Sequence, residues 1–294
     1  MPDGQIIKAI SGFYFVRTND QEIVQCRARG KFKFQKKKQT PLVGDFVQFD
    51  KTGLGEGIIT FVQPRSTELK RPPIANVDQA VVVCSLREPN FQKMALDRFL
   101  VHAEHEQLDI VICLTKKDLI ESEQEVKQIQ DIYKHTGYPI VVTSIFSKEG
   151  IDELKKMLIG KVSVFAGQSG VGKSSLLNVL LPDQKLQTGK VSRKLGRGRH
   201  TTRKVELLSL PEGGQVADTP GFSQLSFHGV QVEQLKYLFP EFVDRSAHCR
   251  YRGCLHENEP DCFVREEVEN GNIANSRYQH YLHFLEEIRD KRRH

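Results

Sequence analysis

The fold of this chain is decided by the stretch Gly167-Gln168-Ser169-Gly170-Val171-Gly172-Lys173-Ser174, which matches the phosphate-loop pattern G-x-x-x-x-G-K-[ST]. The apolar run 162–166 before it predicts a buried strand, and the run 175–181 after it predicts a helix. A strand, glycine-rich loop and helix in this order predict a site for a nucleoside triphosphate. The alternative is a structural glycine-rich turn between strand and helix.

Each part of the loop has an expected chemical role. Backbone N–H groups and the helix N-terminus surround the phosphate oxygens, Lys173 neutralises the β- and γ-phosphates, and Ser174 offers its hydroxyl to Mg²⁺. The expected nucleotide contacts are Gly167, Gln168, Ser169, Gly170, Val171, Gly172, Lys173, Ser174 and Ser175.

The length, hydrophobicity and charge of the chain limit the class of protein that it can be. The 294 residues allow two or three domains. The chain has no apolar run long enough for a membrane span and no secretory start, so we expect a cytoplasmic protein with reduced cysteines and no membrane partner. The net charge is only +6, but basic residues cluster at 31–38 and at 190–204. Such clusters suit a polyanion such as RNA, the alternative being a solvated surface.

Short strands separated by turn residues occupy the N-terminal part. Candidate strands are 6–16, 22–28, 45–49 and 57–61. Their alternating pattern, with glycines at the corners, predicts a small closed β-barrel of the OB type over residues 1–64. Such barrels bind nucleic acid, and the alternative is a barrel that serves only as a spacer or dimer contact.

From residue 65 to 221 the pattern alternates between strand and helix. The predicted strands are 79–84, 109–114, 138–143, 162–166 and 215–217, and the predicted helices are 94–105, 122–135, 151–158 and 175–181. Continuous β-branched runs of this kind are typical of a parallel sheet covered by helices on both faces. The sequence therefore predicts one α/β domain with its phosphate loop near the middle.

A motif for reading guanine follows the strand 109–114. In Thr115-Lys116-Lys117-Asp118, the Asp118 carboxylate can accept hydrogen bonds from both the ring N–H and the amine of guanine, a donor pair that adenine lacks. Thr115 stands where Asn is usual, and we expect Lys116 to pack its stem along the base. After the next strand, Thr143 and Ser144 offer a second contact to the base.

The γ-phosphate motifs come after the phosphate loop. Asp218-Thr219-Pro220-Gly221 offers a carboxylate to Mg²⁺ and the Gly221 amide to the γ-phosphate. Thr201 or Thr202 is placed to close onto Mg²⁺, and we favour Thr202. The expected Mg²⁺ ligands are thus Ser174, Thr202 and Asp218. Since the base-reading motif comes before the loop, the order is that of a circularly permuted GTPase.

The residue after Asp-x-x-Gly bears on hydrolysis. Many GTPases place there a Gln that orients the attacking water, whereas this chain has Phe222. We therefore predict that His200 positions the water, although it could instead contact RNA or solvent. An arginine from a partner could also complete the site, so we expect slow hydrolysis alone and faster hydrolysis with the partner.

The C-terminal part, 222–294, contains a metal-ligand pattern. Its ligands would be Cys249, Cys254, His256 and Cys262. Three thiols and an imidazole fill a tetrahedral shell, which predicts one structural Zn²⁺ per chain in a mostly helical domain. A final helix from about residue 275 carries an apolar stripe expected to pack in the core, which comprises Tyr278, Tyr281, Leu282, Leu285 and Ile288.

Taken together, these motifs resemble the RsgA family, also called YjeQ or YloQ, of circularly permuted GTPases in small-ribosomal-subunit biogenesis. The resemblance extends to Val43-Gly44-Asp45, to 71–78 and to Gly198-Arg199-His200-Thr201-Thr202. It implies a monomer that binds the small subunit and its rRNA late in assembly, with barrel and zinc module on the RNA. It also implies that the subunit stimulates hydrolysis of GTP to GDP and phosphate, that hydrolysis triggers release, and that His200 is catalytic.

Two other functions are weighed against this one. A P-loop ATPase or small-molecule kinase would not need the base-reading motif or the flanking domains. An RNA-binding protein could keep the nucleotide as a structural ligand only, but the presence of Lys173, Ser174 and Asp218 argues against it. Binding of GTP and ATP to the native chain and to Asp118→Ala separates the first possibility from a GTPase.

Overall fold

The structure is a computed structural model that describes residues 2–28, 40–70, 72–182, 205–218, 227 and 229–293. Several predicted features lie outside these residues, namely the basic clusters 31–38 and 190–204 with His200, Thr201 and Thr202, the residues Gly221 and Phe222, and the side chain of Asp218. Among the described residues, no helix is long and apolar enough to cross a membrane.

The described residues form thirteen strands. They are β1 (Asp3–Ile10), β2 (Phe13–Thr18), β3 (Ile23–Ala28), β4 (Phe46–Gly53), β5 (Glu56–Val62), β6 (Glu68–Lys70), β7 (Pro73–Ala75), β8 (Gln79–Ser85), β9 (Asp109–Thr115), β10 (Ile140–Val142), β11 (Val162–Ala166), β12 (Glu206–Ser209) and β13 (Gln215–Asp218).

Seven α-helices accompany these strands in the described ranges. They are α1 (Lys93–His105), α2 (Glu123–Tyr133), α3 (Ile151–Leu158), α4 (Lys173–Leu180), α5 (Pro240–Ser246), α6 (Phe263–Glu269) and α7 (Asn275–Arg293). Short 3₁₀ helices lie at Lys117–Leu119 and Leu235–Leu238. The chain divides into two compact units, of which unit 1 comprises Met1–Ala80, Asp152–Phe165 and Lys173–Ser223, and unit 2 comprises Val81–Ile151, Ala166–Gly172 and Gln224–His294.

A closed barrel forms the N-terminal part of unit 1. Its strands follow the order β1-β2-β3-β5-β4, and β4 pairs back onto β1. Strands β3 and β5 run parallel, whereas the other pairs are antiparallel. Alternate residues point inward, so that Ile6, Val16 and Val47 are fully buried. The predicted OB-type barrel is therefore confirmed.

The prediction of one strand over 6–16 is wrong. Ser11 and Gly12 both have positive φ, 51° and 84°, and they separate β1 from β2. Two consecutive residues with positive φ suit a tight two-residue hairpin loop, whose twist matches that of the strands it joins. The strong apolar character on both sides of the turn concealed this division.

Strands β11, β12 and β13 extend the sheet of the barrel, whereas β6 and β7 pair with each other in a separate sheet. Strand β12 pairs with β13 as an antiparallel hairpin, and β13 pairs in parallel with β11. Strand β1 also pairs with β12, where Lys8 faces Glu206 and the two side chains form an ion pair of 2.9 Å. Barrel and hairpin are thus joined by backbone pairing as well as by the chain.

Unit 2 contains β10, β9 and the part of β8 from Val81 onward, and these strands lie side by side in that order. Strands β10 and β9 are parallel, and every residue of β8 is buried, as expected for a covered sheet. The C-terminal helices enclose an aromatic core in which Phe239, Phe242 and Tyr281 stack or meet edge to face. The predicted stripe of α7 packs here: Tyr278, Tyr281, Leu285 and Ile288 are buried, and Leu282 is partly buried.

A buried ion network ties three helices of unit 2 together. The fully buried guanidinium of Arg277 in α7 donates to Asp97 in α1 at 2.8 Å and to Glu241 in α5 at 2.7 and 3.0 Å. Asp97 also accepts hydrogen bonds from Tyr133 and His280. Coulombic attraction by Arg277 lowers the pKa of Asp97 against the opposing effect of burial. The C-terminal helices are therefore anchored to α1 by charge as well as by packing.

Candidate nucleotide site and metal cluster

The phosphate loop is shaped by glycine. Gly167 has φ 145°, and a Cβ there would lie 2.2 Å from the carbonyl oxygen of Val83. No larger residue fits so close to a backbone oxygen, so the first glycine of the motif is required by the fold. Helix α4 begins directly after the loop at Lys173, and Ser174 in its first turn is exposed. The side chain of Gln168 donates to Gln92 at 3.2 Å.

Thr115 connects the base-reading motif to the phosphate loop. It ends β9, is only 4 % exposed, and its hydroxyl donates to the carbonyl oxygen of Val171 at 2.6 Å. The carbonyl oxygen of Cys84 lies 3.3 Å from the same hydroxyl. The residue that departs from the usual Asn therefore still supplies a side-chain hydrogen bond between the two motifs.

Lys116 crosses the same loop. Its backbone is left-handed, with φ 61° and ψ 41°, a conformation that is uncommon for a non-glycine residue. Its ammonium group donates to the carbonyl oxygen of Gly170 at 3.0 Å and to that of Glu88. These two bonds fix the position of the ammonium group, one of them against the phosphate loop.

Asp118 is oriented by Ser144. The exposed carboxylate of Asp118 accepts a hydrogen bond of 2.6 Å from the Ser144 hydroxyl, which is itself buried. The Ser144 oxygen also accepts from the backbone N–H groups of Phe146 and Ser147, each at 3.2 Å. Thr143 is fully buried, and its carbonyl oxygen accepts from Lys117 N at 3.2 Å. One hydroxyl thus fixes both the carboxylate and the loop after β10.

Of the predicted nucleotide contacts, unit 2 brings together two groups. Thr115 and Lys116 bond to the phosphate loop, and Asp118 bonds to Ser144 beside Thr143. The carbonyl oxygen of Glu88, which also holds Lys116, was not predicted. No motif marks it in the sequence, because any residue can supply a backbone carbonyl.

The four predicted metal ligands form one cluster. The ligand atoms of Cys249, Cys254, His256 and Cys262 all lie within 4.8 Å of one another. His256 Nδ1 is 3.6 Å from Cys249 Sγ and 3.4 Å from Cys262 Sγ. Three thiols and an imidazole converging in this way are a donor set that could hold a metal ion.

A hydrogen bond at Nε2, the ring nitrogen other than the one beside the thiols, holds the imidazole of the cluster in place. The Ser246 hydroxyl lies 2.9 Å from His256 Nε2 and donates its own proton to the carbonyl oxygen of Phe242 at 2.7 Å. It must therefore accept from Nε2–H, which leaves the Nδ1 lone pair facing the thiols. Burial, aided by the charge of Lys236, lowers the pKa of His256 to about 4. The imidazole is then neutral at pH 7, the form that binds metals.

The loop that carries the ligands is fixed to the helices. The Glu259 carboxylate accepts hydrogen bonds from the backbone N–H groups of Leu255, Glu257 and Asn258. Tyr278 of α7 donates to the carbonyl oxygen of His256 at 2.7 Å. This support holds the donor atoms close together, and burial raises the pKa of the Cys254 thiol to about 12. Burial thus disfavours the thiolate form of Cys254, and a bound cation would offset this effect by stabilising the thiolate.

A phosphate loop, a guanine-reading motif placed before it in the chain, and flanking barrel and metal-ligand regions define the class of circularly permuted P-loop GTPases. Comparison with known proteins agrees. The model of the RsgA GTPase family matches residues 62–228, and the model of the RsgA N-terminal domain matches residues 3–59. The chain therefore belongs to the RsgA family, whose members are GTPases, that is, hydrolases acting on GTP.

Individual relatives extend over nearly the whole chain. "Small ribosomal subunit biogenesis GTPase RsgA" of Shouchella clausii is 48% identical and covers 100% of this chain and 99% of its own length. The protein of the same name in Geobacillus thermodenitrificans is 51% identical, with 99% of both chains covered.

Two solved structures are also similar. YloQ, described as a circularly permuted GTPase, has a TM-score of 0.82 and 42% identity, covering 99% of this chain and 96% of its own. YjeQ from Thermotoga maritima has a TM-score of 0.86 and 39% identity, covering 98% of each chain. The predicted circular permutation is thus confirmed.

Proposed function

We propose that the protein binds the small ribosomal subunit late in its assembly and hydrolyses GTP there, and that subunit-stimulated hydrolysis triggers its release. The names of its relatives support the subunit as partner, at 48% and 51% identity over nearly the full length. The observation that carries the GTPase site is the pair of bonds from Thr115 and Lys116 to carbonyl oxygens of the phosphate loop. They join base reading to phosphate binding.

Guanine is the base that this site would select. Asp118, oriented by Ser144, would accept from the ring N–H and the amine of guanine, with Lys116 along the base and Thr143–Ser144 as a second contact. The phosphates would lie against Gly167–Ser175. Mg²⁺, held by Ser174, Thr202 and Asp218, would neutralise charge on the transferred phosphoryl group. His200 would position the attacking water.

The Cys₃His cluster would hold one Zn²⁺. Cysteine thiolates and a neutral imidazole are the donors that zinc prefers, and four of them leave no open position for catalysis. The ion would stabilise the small C-terminal module by joining four ligands of its loop. The proposed division is a barrel at 1–64, a GTPase domain at 65–221 and a zinc module at 222–294, in a monomer of the cytoplasm that contacts rRNA through barrel and zinc module.

Hydrolysis assays with ribosomal subunits test the main proposal. GTP turnover is measured for the full-length protein alone, with purified small subunits, and with large subunits as control. We expect stimulation by the small subunit only, and we expect His200→Ala to lose it while keeping GTP affinity. Equal rates in the three mixtures would contradict the ribosomal function but not the GTPase assignment.

Selection of the base is tested by replacing a hydrogen-bond acceptor of Asp118 by a donor. Asp118→Asn replaces an acceptor oxygen by an NH₂ donor, which suits the second carbonyl of xanthine better than the amine of guanine. We expect this variant to bind GDP at least about 10²-fold more weakly and to prefer xanthosine diphosphate. Unchanged selectivity for guanine, measured by competition with a labelled nucleotide, would show that Asp118 does not read the base.

A further inference from the structure

Unit 1 contains a cleft of its own. It encloses about 840 Å³ between the barrel, the turn Gly160–Lys161 and the β12–β13 hairpin. We call it the barrel cleft. None of its lining residues belongs to the phosphate loop or to the base-reading motif. Its size is ample for a small ligand.

Arg17 in the wall of the barrel cleft has an incomplete hydrogen-bond set. Its Nη1 donates to the Ser209 hydroxyl, whereas Nη2 is buried and has no partner among the described residues. A buried donor without an acceptor is costly and uncommon in native proteins. Burial lowers the pKa of Arg17, the direction expected for a guanidinium whose charge no carboxylate of the described residues offsets. An acceptor in the cleft would complete it once the groups that cover Nη2 shift aside.

The other lining groups indicate what kind of molecule carries that acceptor. Phe46 lines the cleft and is 46% exposed, so that part of this aromatic residue is accessible to a ligand. Three residues whose side chains end in amides, Asn19, Gln21 and Gln63, line the same cleft. An aromatic face, amides and a guanidinium are the groups with which proteins hold an unpaired nucleotide, by stacking, by base-edge hydrogen bonds and by a phosphate contact.

The charged residues that line the cleft favour binding of one nucleotide rather than of a long stretch of RNA backbone. Besides Arg17 and Lys161, the cleft is lined by two acids, Asp3 and Asp78. The Asp78 carboxylate accepts from the backbone N–H of Val162 at 2.7 Å and so belongs to the local fold. With both signs present, the cleft is not a tract that attracts many phosphates. We propose that the barrel cleft is a second nucleotide-binding site, which takes one base and its phosphate through Phe46 and Arg17.

Such a nucleotide can belong to a single RNA strand or be free. To distinguish these sources, the full-length protein is saturated with GDP, so that the phosphate-loop site is filled. Fluorescein-labelled hexauridylate then reports strand binding by anisotropy, and unlabelled uridine monophosphate competes with it. Competition by the mononucleotide indicates that a free nucleotide suffices. Binding of the hexamer without competition indicates an RNA strand.

Matched variants test whether the hexamer binds in the barrel cleft. Phe46→Ala should weaken hexauridylate binding at least about fivefold, and Phe46→Tyr should restore it. Arg17→Gln should also reduce the slope of log K against log salt by about 0.7, the value of one phosphate on a single strand. Two controls lie on the same barrel outside the cleft. They are Phe61→Ala, which removes an aromatic side chain 40% exposed, and Lys51→Gln, which removes a positive charge.

Cross-linking of the unaltered chain gives a readout that does not depend on how a variant folds. Hexamers containing 4-thiouridine should cross-link to peptides that include Arg17, Phe46 or Gln63, in the presence of saturating GDP. The proposal is overturned if neither probe binds, if the cleft variants behave like Phe61→Ala and Lys51→Gln, or if cross-links avoid these peptides. The proposed GTPase function would stand in each of these cases, because its assays use a different site.

Discussion

The hydroxyl of Thr115 donates a 2.6 Å hydrogen bond to the carbonyl oxygen of Val171, and so joins the guanine-reading motif to the phosphate loop. The two residues are 56 positions apart in the chain. Because the hydroxyl is buried, the bond is sheltered from water and fixes the distance between the two parts of the proposed nucleotide site.

Removing this hydroxyl should weaken nucleotide binding. Thr115→Val keeps the shape but leaves the Val171 carbonyl oxygen without its donor, at a cost of about 1–2 kcal/mol. We expect affinity for GDP and GTP to fall together by roughly 5- to 30-fold, measured by titration calorimetry. Thr136→Val is the matched control, since it removes a buried hydroxyl that donates to the carbonyl oxygen of Tyr133 at 2.6 Å. Equal affinity of Thr115→Val and the native chain would contradict the prediction.

The hydrogen bond behind the metal cluster should strengthen metal binding. Ser246→Ala removes the acceptor of His256 Nε2–H without touching a ligand atom. We expect zinc affinity, measured by competition with a chromophoric chelator, to fall about 10- to 100-fold. Cys262→Ser should lose the ion and lower the melting temperature, whereas Cys113→Ala, which alters a buried thiol of β9, should keep one zinc per chain. Full zinc content in Cys262→Ser would show that the cluster is not the metal site.

A buried histidine should contribute to loss of stability in acid. His102 of α1 stacks on Phe227 at 5.4 Å, and burial, followed by the charge of Arg98, lowers its pKa to about 4. An unfolded histidine titrates near 6.5, so between pH 6.5 and 4 the unfolded chain takes up a proton that the folded chain refuses. The folded state should therefore lose about 1–3 kcal/mol over this window as the pH falls.

Comparison of variants isolates that contribution. His102→Phe keeps a ring against Phe227 but cannot be protonated, so its stability should fall less than that of the native chain between pH 6.5 and 4. Urea unfolding at a series of pH values measures the difference, and the release of any metal affects both proteins alike. His135→Gln alters an exposed histidine and is the control. Parallel curves for the native chain and His102→Phe would contradict this account.

The buried network around Arg277 should be sensitive to removal of its cation. Arg277→Met leaves Asp97 and Glu241 buried without their partner, which should cost about 3–5 kcal/mol of unfolding free energy. Adding Asp97→Asn and Glu241→Gln removes the unpaired charges and should recover part of the loss. Lys51→Met, which breaks an exposed pair with Glu22, should cost at most about 1 kcal/mol. Chemical denaturation measures all three, and a loss for Arg277→Met no larger than for Lys51→Met would be contrary to expectation.

The sequence alone predicted those sites whose residues lie close together in the chain. The phosphate loop and the Cys₃His pattern are short segments in which spacing implies a ligand, and the structure places the four metal ligands together. The bond between Thr115 and Val171 could not be predicted, since its acceptor is a backbone carbonyl. The pairing of Arg277 with Asp97 joins residues 180 positions apart, and no local pattern marks either residue.

Short elements were also missed, for a different reason. Strands β6 and β7 have three residues each, and helices α5 and α6 have seven. Such lengths show hardly one period of a helix or strand, so tertiary packing determines them more than local preference does. The turn at Ser11–Gly12 was concealed in the same way, because apolar residues continue on both sides.

The pairing of β1 with β12 gives the barrel a protective role for the rest of unit 1. Strand β12 is bonded to β13 on one side, and on the other it meets β1 where Lys8 faces Glu206. Without the barrel, that side of β12 would present unpaired N–H and C=O groups, which readily recruit a strand from another molecule. The barrel therefore covers part of a strand edge, and a GTPase fragment cut free of it would need another cover to avoid pairing with a second molecule.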